Sequence, residues 1–380
     1  MIDVKEILAK AIKAGSSDIH INVGMPPVMR INTDLVLLDL PEISDEDAGN
    51  LVLQMVGEAK FKVFLEKRDL DFSTMIDDGS RFRVNAHFQK ESIAIAFRTI
   101  SNQIPDIEDL HLPEVAKELT DLPRGLVLVT GHTGSGKSTS LAAMIGVINR
   151  KYKKRIITLE DPVEYLLENK SCMIEQREMG SDCTSFASGL RHALRQDPDI
   201  ILVGEMRDLE TISVALTAAE TGHLVFATLH TQDAAQTIDR IIDVFPAEQQ
   251  AQIRTQLASA IQGVVSQTLC KRASGRGRVI ATEVLLATPA VRNLIREGNT
   301  HQIYSAMQAG AAHGMHTMDQ HLGELVKNGS ITYETGLEKA HHVEDFNRIV
   351  GRSASMAQGS GGMSDPMSMS GGAMGMPRQS

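Results

Sequence analysis

Gly131-His132-Thr133-Gly134-Ser135-Gly136-Lys137-Ser138 satisfies GxxxxGK[ST] at every position, with Thr139 following. These types suit one task, the holding of a nucleotide's phosphates. Glycines let backbone N–H groups approach phosphate oxygens and adopt positive φ. The Lys137 ammonium offers a point charge to the β- and γ-phosphates, and the Ser138 hydroxyl a ligand to Mg²⁺. A helix leaving the loop would aim its amino end at the same anion.

Splitting the nucleotide needs more: a group that orients or deprotonates water, and a second carboxylate beside Mg²⁺. Arg155–Glu160 reads as a strand running into Glu160, Asp161 and Glu164, with Pro162 ending the strand. Ile200–Val203 reads as a second strand ending on Glu205, a Walker B element with Glu in the usual Asp place. ATP and Mg²⁺ are the expected cofactors, the metal held through Ser138 and Glu205. His223 and His230 bracket a third strand, and His230 at its carboxyl end can contact a γ-phosphate, since ligands sit outside the carboxyl ends of such strands. Arginines stabilise the transferring phosphoryl group, often from a neighbouring chain. Arg195, Arg207 and Arg240 are the candidates, with Arg191 four residues before Arg195. Each of these groups has an ordinary alternative: a solvated acidic loop, a structural histidine, a surface ion pair.

These side chains need a buried, mainly parallel sheet to bring them together. From Leu112 onward, short apolar runs alternate with helical stretches: 126–130, a helix from Lys137, 156–159, a helix near 186–195, 200–203, a helix near 210–220, and 224–228. Strands apolar on both faces belong in such a sheet. The first hundred residues differ. Val4, Ile7, Leu8, Ala11 and Ile12 give an amphipathic helix capped by Asp3 and closed at Gly15. Extended stretches follow at 18–23, 28–31 and 35–38, helices at 45–56 and 58–66, and alternating strands at 81–88 and from Ile93 to Phe97. The expected division is 1–101 as an N-terminal α+β domain, 102–111 as linker, 112–352 as the ATPase domain with C-terminal helices, and 353–380 as a disordered tail. That tail holds seven Ser, six Gly and six Met, too little apolar bulk to offset its ordering entropy.

Composition narrows the class. The 380 residues carry a net charge of −10, which argues against a nucleic-acid coat, and their 4% aromatic content argues against base-stacking platforms. No apolar run approaches the roughly 18 residues of a membrane helix. The charged start does not read as a signal peptide. A cytoplasmic protein with no integral membrane segment and no nucleic-acid partner is the expectation. Cys172, Cys183 and Cys270 form no CxxC pair, and His313, His316, His321, His341 and His342 no ligand pair at i, i+4, so no zinc site is expected.

The phosphate loop, the acidic box Glu160–Glu164, the strand end Gly204–Asp208 and the histidine box Thr221–Thr231, in that order, resemble the type II/type IV secretion ATPase superfamily. Ala290-Val291-Arg292-Asn293-Leu294-Ile295-Arg296-Glu297 resembles the motif of its pilus retraction ATPases, with Val291 in place of Ile; Ser16–His20 and Arg81–Asn85 resemble their N-terminal domain. The resemblance covers about residues 1 to 350. It implies an α/β chain with a PAS-like N-terminal domain and a RecA-like P-loop domain. It implies a homo-hexameric ring with ATP between subunits, Glu164 as catalytic base, Glu205 as the Walker B carboxylate, His230 as nucleotide-state sensor, and arginines supplied in trans. It further implies a motor for pilus retraction and twitching motility, peripheral at the inner membrane at the pilus base. Its partners would be an inner-membrane pilus platform protein and a paralogous retraction ATPase.

Read by periodicity alone, 290–297 is a plain amphipathic core helix with Val291, Leu294 and Ile295 on one face; the resemblance favours a partner contact. Three other functions stay open at this level. An extension or secretion ATPase of the same superfamily usually has a longer N-terminus and a four-cysteine zinc insertion, both missing here. A RecA-like nucleic-acid motor would show DNA-stimulated turnover. A nucleotide-binding regulator would not hydrolyse at all.

Overall fold

The computed structural model describes residues 3–31, 34–100 and 103–352. The tail expected over 353–380 lies outside the described residues. The first helix, Val4–Lys13, forms as its spacing predicts: Asp3 accepts the Lys5 N–H at 3.0 Å, and Val4, Ile7, Leu8 and Ala11 are buried. Strands β1 (Asp18–Asn22), β2 (Val28–Ile31), β3 (Asp34–Leu37), β4 (Asp69–Met75), β5 (Arg81–Gln89) and β6 (Ser92–Ile100) build an antiparallel sheet in the order β3-β2-β1-β6-β5-β4. The two helices expected over 45–56 and 58–66 form within Asp45–Lys67 and meet at a kink at Gly57, whose φ of 73° lies outside helical space. Lys90 and Glu91 both take positive φ and turn β5 tightly into β6. The sequence signals no strand over Asp69–Met75. β4 forms there because β5 offers it an edge, residue by residue from Asp69 opposite His87 to Met75 opposite Arg81.

The second sheet joins β7 (Gly125–Thr130), β8 (Arg155–Glu160), β9 (Met173–Glu178), β10 (Ile200–Val203), β11 (Leu224–Leu229), β12 (Ile261–Lys271) and β13 (Arg278–Leu286) in the order β13-β12-β7-β11-β10-β8-β9. Only the β12–β13 hairpin runs antiparallel. Every residue of β7 is buried because both faces are covered. Leu126 and Leu128 pack into one core with Val203, Val225 and Ala227, while Val127 and Val129 pack into the other with Ile156, Leu202 and Phe226. β9 and the β12–β13 hairpin extend the sheet beyond the strands the sequence announces.

Behind β13 stand the helices Pro289–Glu297, Ile303–Ala309, Met318–Lys327, Tyr333–Lys339 and Val343–Val350. Glu283 of β13 ties two helix starts together, accepting the Ala234 N–H at 2.8 Å and the Met318 N–H at 3.2 Å. Burial lifts its carboxyl to about 7 in spite of these donors. His316 and His321 meet the Thr282 hydroxyl at 3.0 and 2.9 Å, and His342 lies against Asp319. His316 and His321 therefore pack helices to the sheet, and His342 joins one helix to another. The thiols of Cys172, Cys183 and Cys270 are all free and buried, and burial raises each above its usual range, Cys270 to about 11. None of the described helices is long and apolar enough to cross a membrane.

Candidate active site

The phosphate loop rises from the carboxyl end of β7 and turns into the helix Lys137–Lys151 at Gly136. Gly131 is obligatory on two grounds. Its φ is +141°, and a Cβ there would sit 2.3 Å from the Gln267 carbonyl oxygen. Lys137 is buried and folds back over the loop, donating to the carbonyls of Gly131 at 2.7 Å and His132 at 3.1 Å. An ammonium has three N–H groups, so one remains for a phosphate oxygen. Burial lowers the Lys137 pKa; Glu205, then Glu164, push it back up, which places both carboxylates within its electrostatic reach.

Glu205 sits just past the carboxyl end of β10, pinned from two sides. Arg207 Nε donates to its Oε1 at 2.6 Å, and His230 Nε2 lies 3.0 Å from the same oxygen. Burial pushes this carboxyl up, but the Arg207 hydrogen bond and the neighbouring His230 and Arg207 charges outweigh it, so Glu205 titrates below the usual range. An ionised, fixed carboxylate within electrostatic reach of Lys137 fits the oxygen donors a hard cation such as Mg²⁺ needs. The other His230 nitrogen, Nδ1, is 3.5 Å from the Thr133 hydroxyl, so His230 spans from Glu205 to the loop's crest.

The acidic box divides. Glu160 turns into the sheet, where its carboxylate accepts from Thr158 at 2.6 Å and Gln176 at 3.0 Å, and burial raises its pKa. Asp161 and Glu164 are exposed. Asp161 lines a cleft with Lys60, Phe72, Arg83 and Glu178, between the two sheets. The box is moored at two points absent from the sequence reading. Tyr165 shares a hydrogen bond with Thr139 at 2.9 Å, which ties the box to the loop helix. Glu178, at the end of β9, accepts the Val163 N–H at 3.1 Å, one residue before Glu164. The same carboxylate takes Arg81 at 2.7 Å and Ser73 at 3.1 Å, both from the N-terminal sheet. β9 reads M-I-E-Q-R-E, too polar to announce a buried strand, which is why Glu178 gave no signal.

The remaining candidates scatter. His223 lies at the amino end of β11, the opposite rim from the loop, bonded to the Ala218 carbonyl at 3.0 Å. Arg191 is ion-paired with Glu210. Arg195 is exposed in the turn that leads into β10, and Arg240 is exposed on the helix Ala234–Asp243. Of the arginines, only Arg207 joins the loop cluster of its own chain. The Pro289–Glu297 helix is capped by Thr288 and buries Val291 and Ile295. Arg292 is committed inward, to the carbonyls of Ala258 at 2.5 Å and Ser259 at 2.9 Å and to Gln262 at 3.0 Å. Ala290, Asn293, Arg296 and Glu297 are exposed, and Leu294 is half-buried.

Residues 1–348 match the family described as type II/IV secretion system protein. The chain is 49% identical over 345 residues to the type IV pilus retraction ATPase PilT of Pseudomonas aeruginosa, covering 91% of this chain and 100% of that one. It is 39% identical over 349 residues to the type IV pilus ATPase PilU of the same organism, covering 92% and 91% respectively. A crystal structure of the pilus retraction motor PilT with bound ADP superposes with a TM-score of 0.86 at 45% identity, over 92% of this chain and 100% of that one. With loop, paired carboxylates and histidine on one rim of a parallel sheet, this chain belongs to the type II/IV secretion system protein family, as a homologue of its pilus retraction ATPases.

Proposed function

We propose that this chain is a hexameric, ATP-hydrolysing motor that powers type IV pilus retraction, working in the cytoplasm against an inner-membrane platform protein at the pilus base. The observation that carries the reading is the convergence of Lys137, Glu205, His230 and the Glu164 loop, in a chain that spans the whole length of a retraction ATPase. PAS-like and RecA-like domains bounded at 1–101 and 112–352, with 102–111 between them, belong to the same proposal.

Each side chain has a role that follows from its setting. The loop amides and the free N–H of Lys137 bind phosphate oxygens. Ser138 and Glu205 would hold Mg²⁺, which would supply positive charge beside the phosphates. Glu164, exposed at the end of its moored loop, accepts a proton from the attacking water. His230 reads the γ-phosphate position through Thr133 and Glu205. Arg195 and Arg240, facing outward, are suited to a neighbouring subunit's nucleotide. A paralogous motor of the same family is a natural second partner for the ring. Nucleotide favours one arrangement of the two sheets over another and so shifts the population. Repeated around a ring, that shift does mechanical work.

Surface pilus abundance in a host carrying Lys137→Ala as its only copy tests the reading. Excess pili that fail to shorten are the expected result. Loss of pili would make the chain an assembly motor and overturn the proposal.

A further inference from the structure

The phosphate loop is held by more than its own turn. Three successive residues of β12 grip it. Ser266 Oγ meets Thr130 Oγ1 at 2.8 Å, Gln267 Nε2 donates to the Ser135 carbonyl at 2.8 Å, and Thr268 Oγ1 meets His132 Nε2 at 3.2 Å. Neighbouring side chains of a strand point to opposite faces. Ser266 and Thr268 therefore hold the loop's entry from one side, while Gln267 reaches its far limb from the other. Gln267 is 1% exposed, and both essential glycines lean on it. A Cβ on Gly131 would strike its main-chain carbonyl oxygen at 2.3 Å, and one on Gly136 would lie 3.2 Å from its side-chain Nε2.

We infer that Gln267 is a positioning residue for the phosphate loop, holding the Ser135 carbonyl so that the amides of Ser135, Gly136 and Lys137 stay turned toward the phosphates. A glutamine kept only for packing would satisfy both ends of its amide. Here Gln267 Oε1 and Ser135 Oγ are both buried with no hydrogen-bond partner among the described residues. Such orphaned groups cost about 1–3 kcal/mol each. Apolar side chains would fill this space without that cost, and the one bond the amide does make goes to the loop. The inference rests on the phosphate-loop reading of the site.

The test uses the assembled full chain, mant-ADP as probe and steady-state ATP turnover. Gln267→Met keeps length and removes the hydrogen bond. It is expected to raise the mant-ADP Kd and the ATP KM about tenfold, the size of one lost hydrogen bond, with kcat within about twofold. Gln262→Met, which removes an amide hydrogen bond from the same strand, to the Arg124 carbonyl and away from the loop, is expected to leave both constants within about twofold. Gln267→Glu is expected to bind weakly at neutral pH and to regain affinity as acid protonates the carboxyl and restores a donor to Ser135. Wild-type affinity in Gln267→Met, equal weakening in Gln262→Met, or a pH-independent KM in Gln267→Glu would each overturn the inference. Lys137→Ala separates the two readings. If it too binds mant-ADP normally, the phosphate-loop assignment fails; if it alone loses binding, only the role of Gln267 fails.

Discussion

Lys137 sits between opposing demands. Burial strips its ammonium of water, and Glu205 and Glu164 restore the preference for charge. The same arrangement distinguishes the two carboxylates. Glu205 is locked by Arg207 and His230, whereas Glu164 is exposed on a loop moored one residue earlier through Val163. A locked carboxylate suits a metal; an exposed one suits proton transfer. Glu164→Gln is therefore expected to cut ATP turnover about 10²- to 10⁴-fold, the usual worth of a general base, while mant-ADP affinity stays near wild type. Turnover within threefold of wild type would remove Glu164 from that role. The sequence marked Glu164, Glu205 and His230 because each follows a short, largely apolar strand. It could not mark Gln267 or Glu178. Their contacts, with Ser135 and Arg81, span 132 and 97 residues of chain and leave no local pattern.

Elements carry the next level of the argument. β12 grips the phosphate loop at 266–268 and, through Gln262, receives Arg292 of the Pro289–Glu297 helix. Four residues of strand, roughly 13 Å, separate the two contacts. The helix thus has one arginine fastened to the ATPase core and another, Arg296, on its open face. Arg292→Ala is expected to cost about 1–3 kcal/mol of stability, since charged hydrogen bonds to the carbonyls of Ala258 and Ser259 are lost. Arg296→Ala is expected to stay within about 0.5 kcal/mol. Urea unfolding of the two variants measures that contrast. Both, with Leu294→Ala, are expected to hydrolyse ATP yet fail to retract pili, and normal retraction in Arg296→Ala would remove the partner contact from this helix. Strand legibility follows burial. The central strands β7, β8, β10 and β11 are apolar on both faces and were evident. β4 and β9 lie at sheet margins, where most residues are only partly buried and the alternation fades.

For the whole molecule, the consequential charges are those the fold buries between β13 and the elements packed on it. Glu283 rises from 4.5 to about 7. A carboxyl whose folded pKa is raised holds its proton more tightly when folded, so its contribution is full below pH 4.5 and is lost as pH climbs to 7. At about 1.4 kcal/mol per pKa unit, that is about 3 kcal/mol. His316 falls from 6.5 to about 4 and acts in the opposite sense, its contribution lost as pH falls through that window. The two slopes largely offset each other in wild type. Glu283→Gln removes one of them. The stability difference between wild type and this variant, followed by denaturant unfolding, is expected to shift by about 3 kcal/mol in favour of the variant from pH 4.5 to 7. A difference independent of pH would mean that Glu283 stays ionised in the fold. The joint between the sheets is the other feature of this scale. Arg81 and Ser73 reach across it to the carboxylate that moors the Glu164 loop, so the angle between the sheets is wired to the position of the catalytic candidate.

The three cysteines give that joint an experimental handle. Cys172, Cys183 and Cys270 are 4%, 8% and 0% exposed, and each thiol is held protonated by burial. Thiol reagents attack the thiolate at an accessible site. The native chain is therefore chemically silent toward maleimides near neutral pH, without a single substitution. A cysteine introduced on the exposed rim of the N-terminal sheet, and a second on the outer face of the ATPase domain, would be the only fast-reacting thiols. Paired fluorophores there would report the opening and closing of the joint turnover by turnover, in a background whose core was never altered to make the measurement possible.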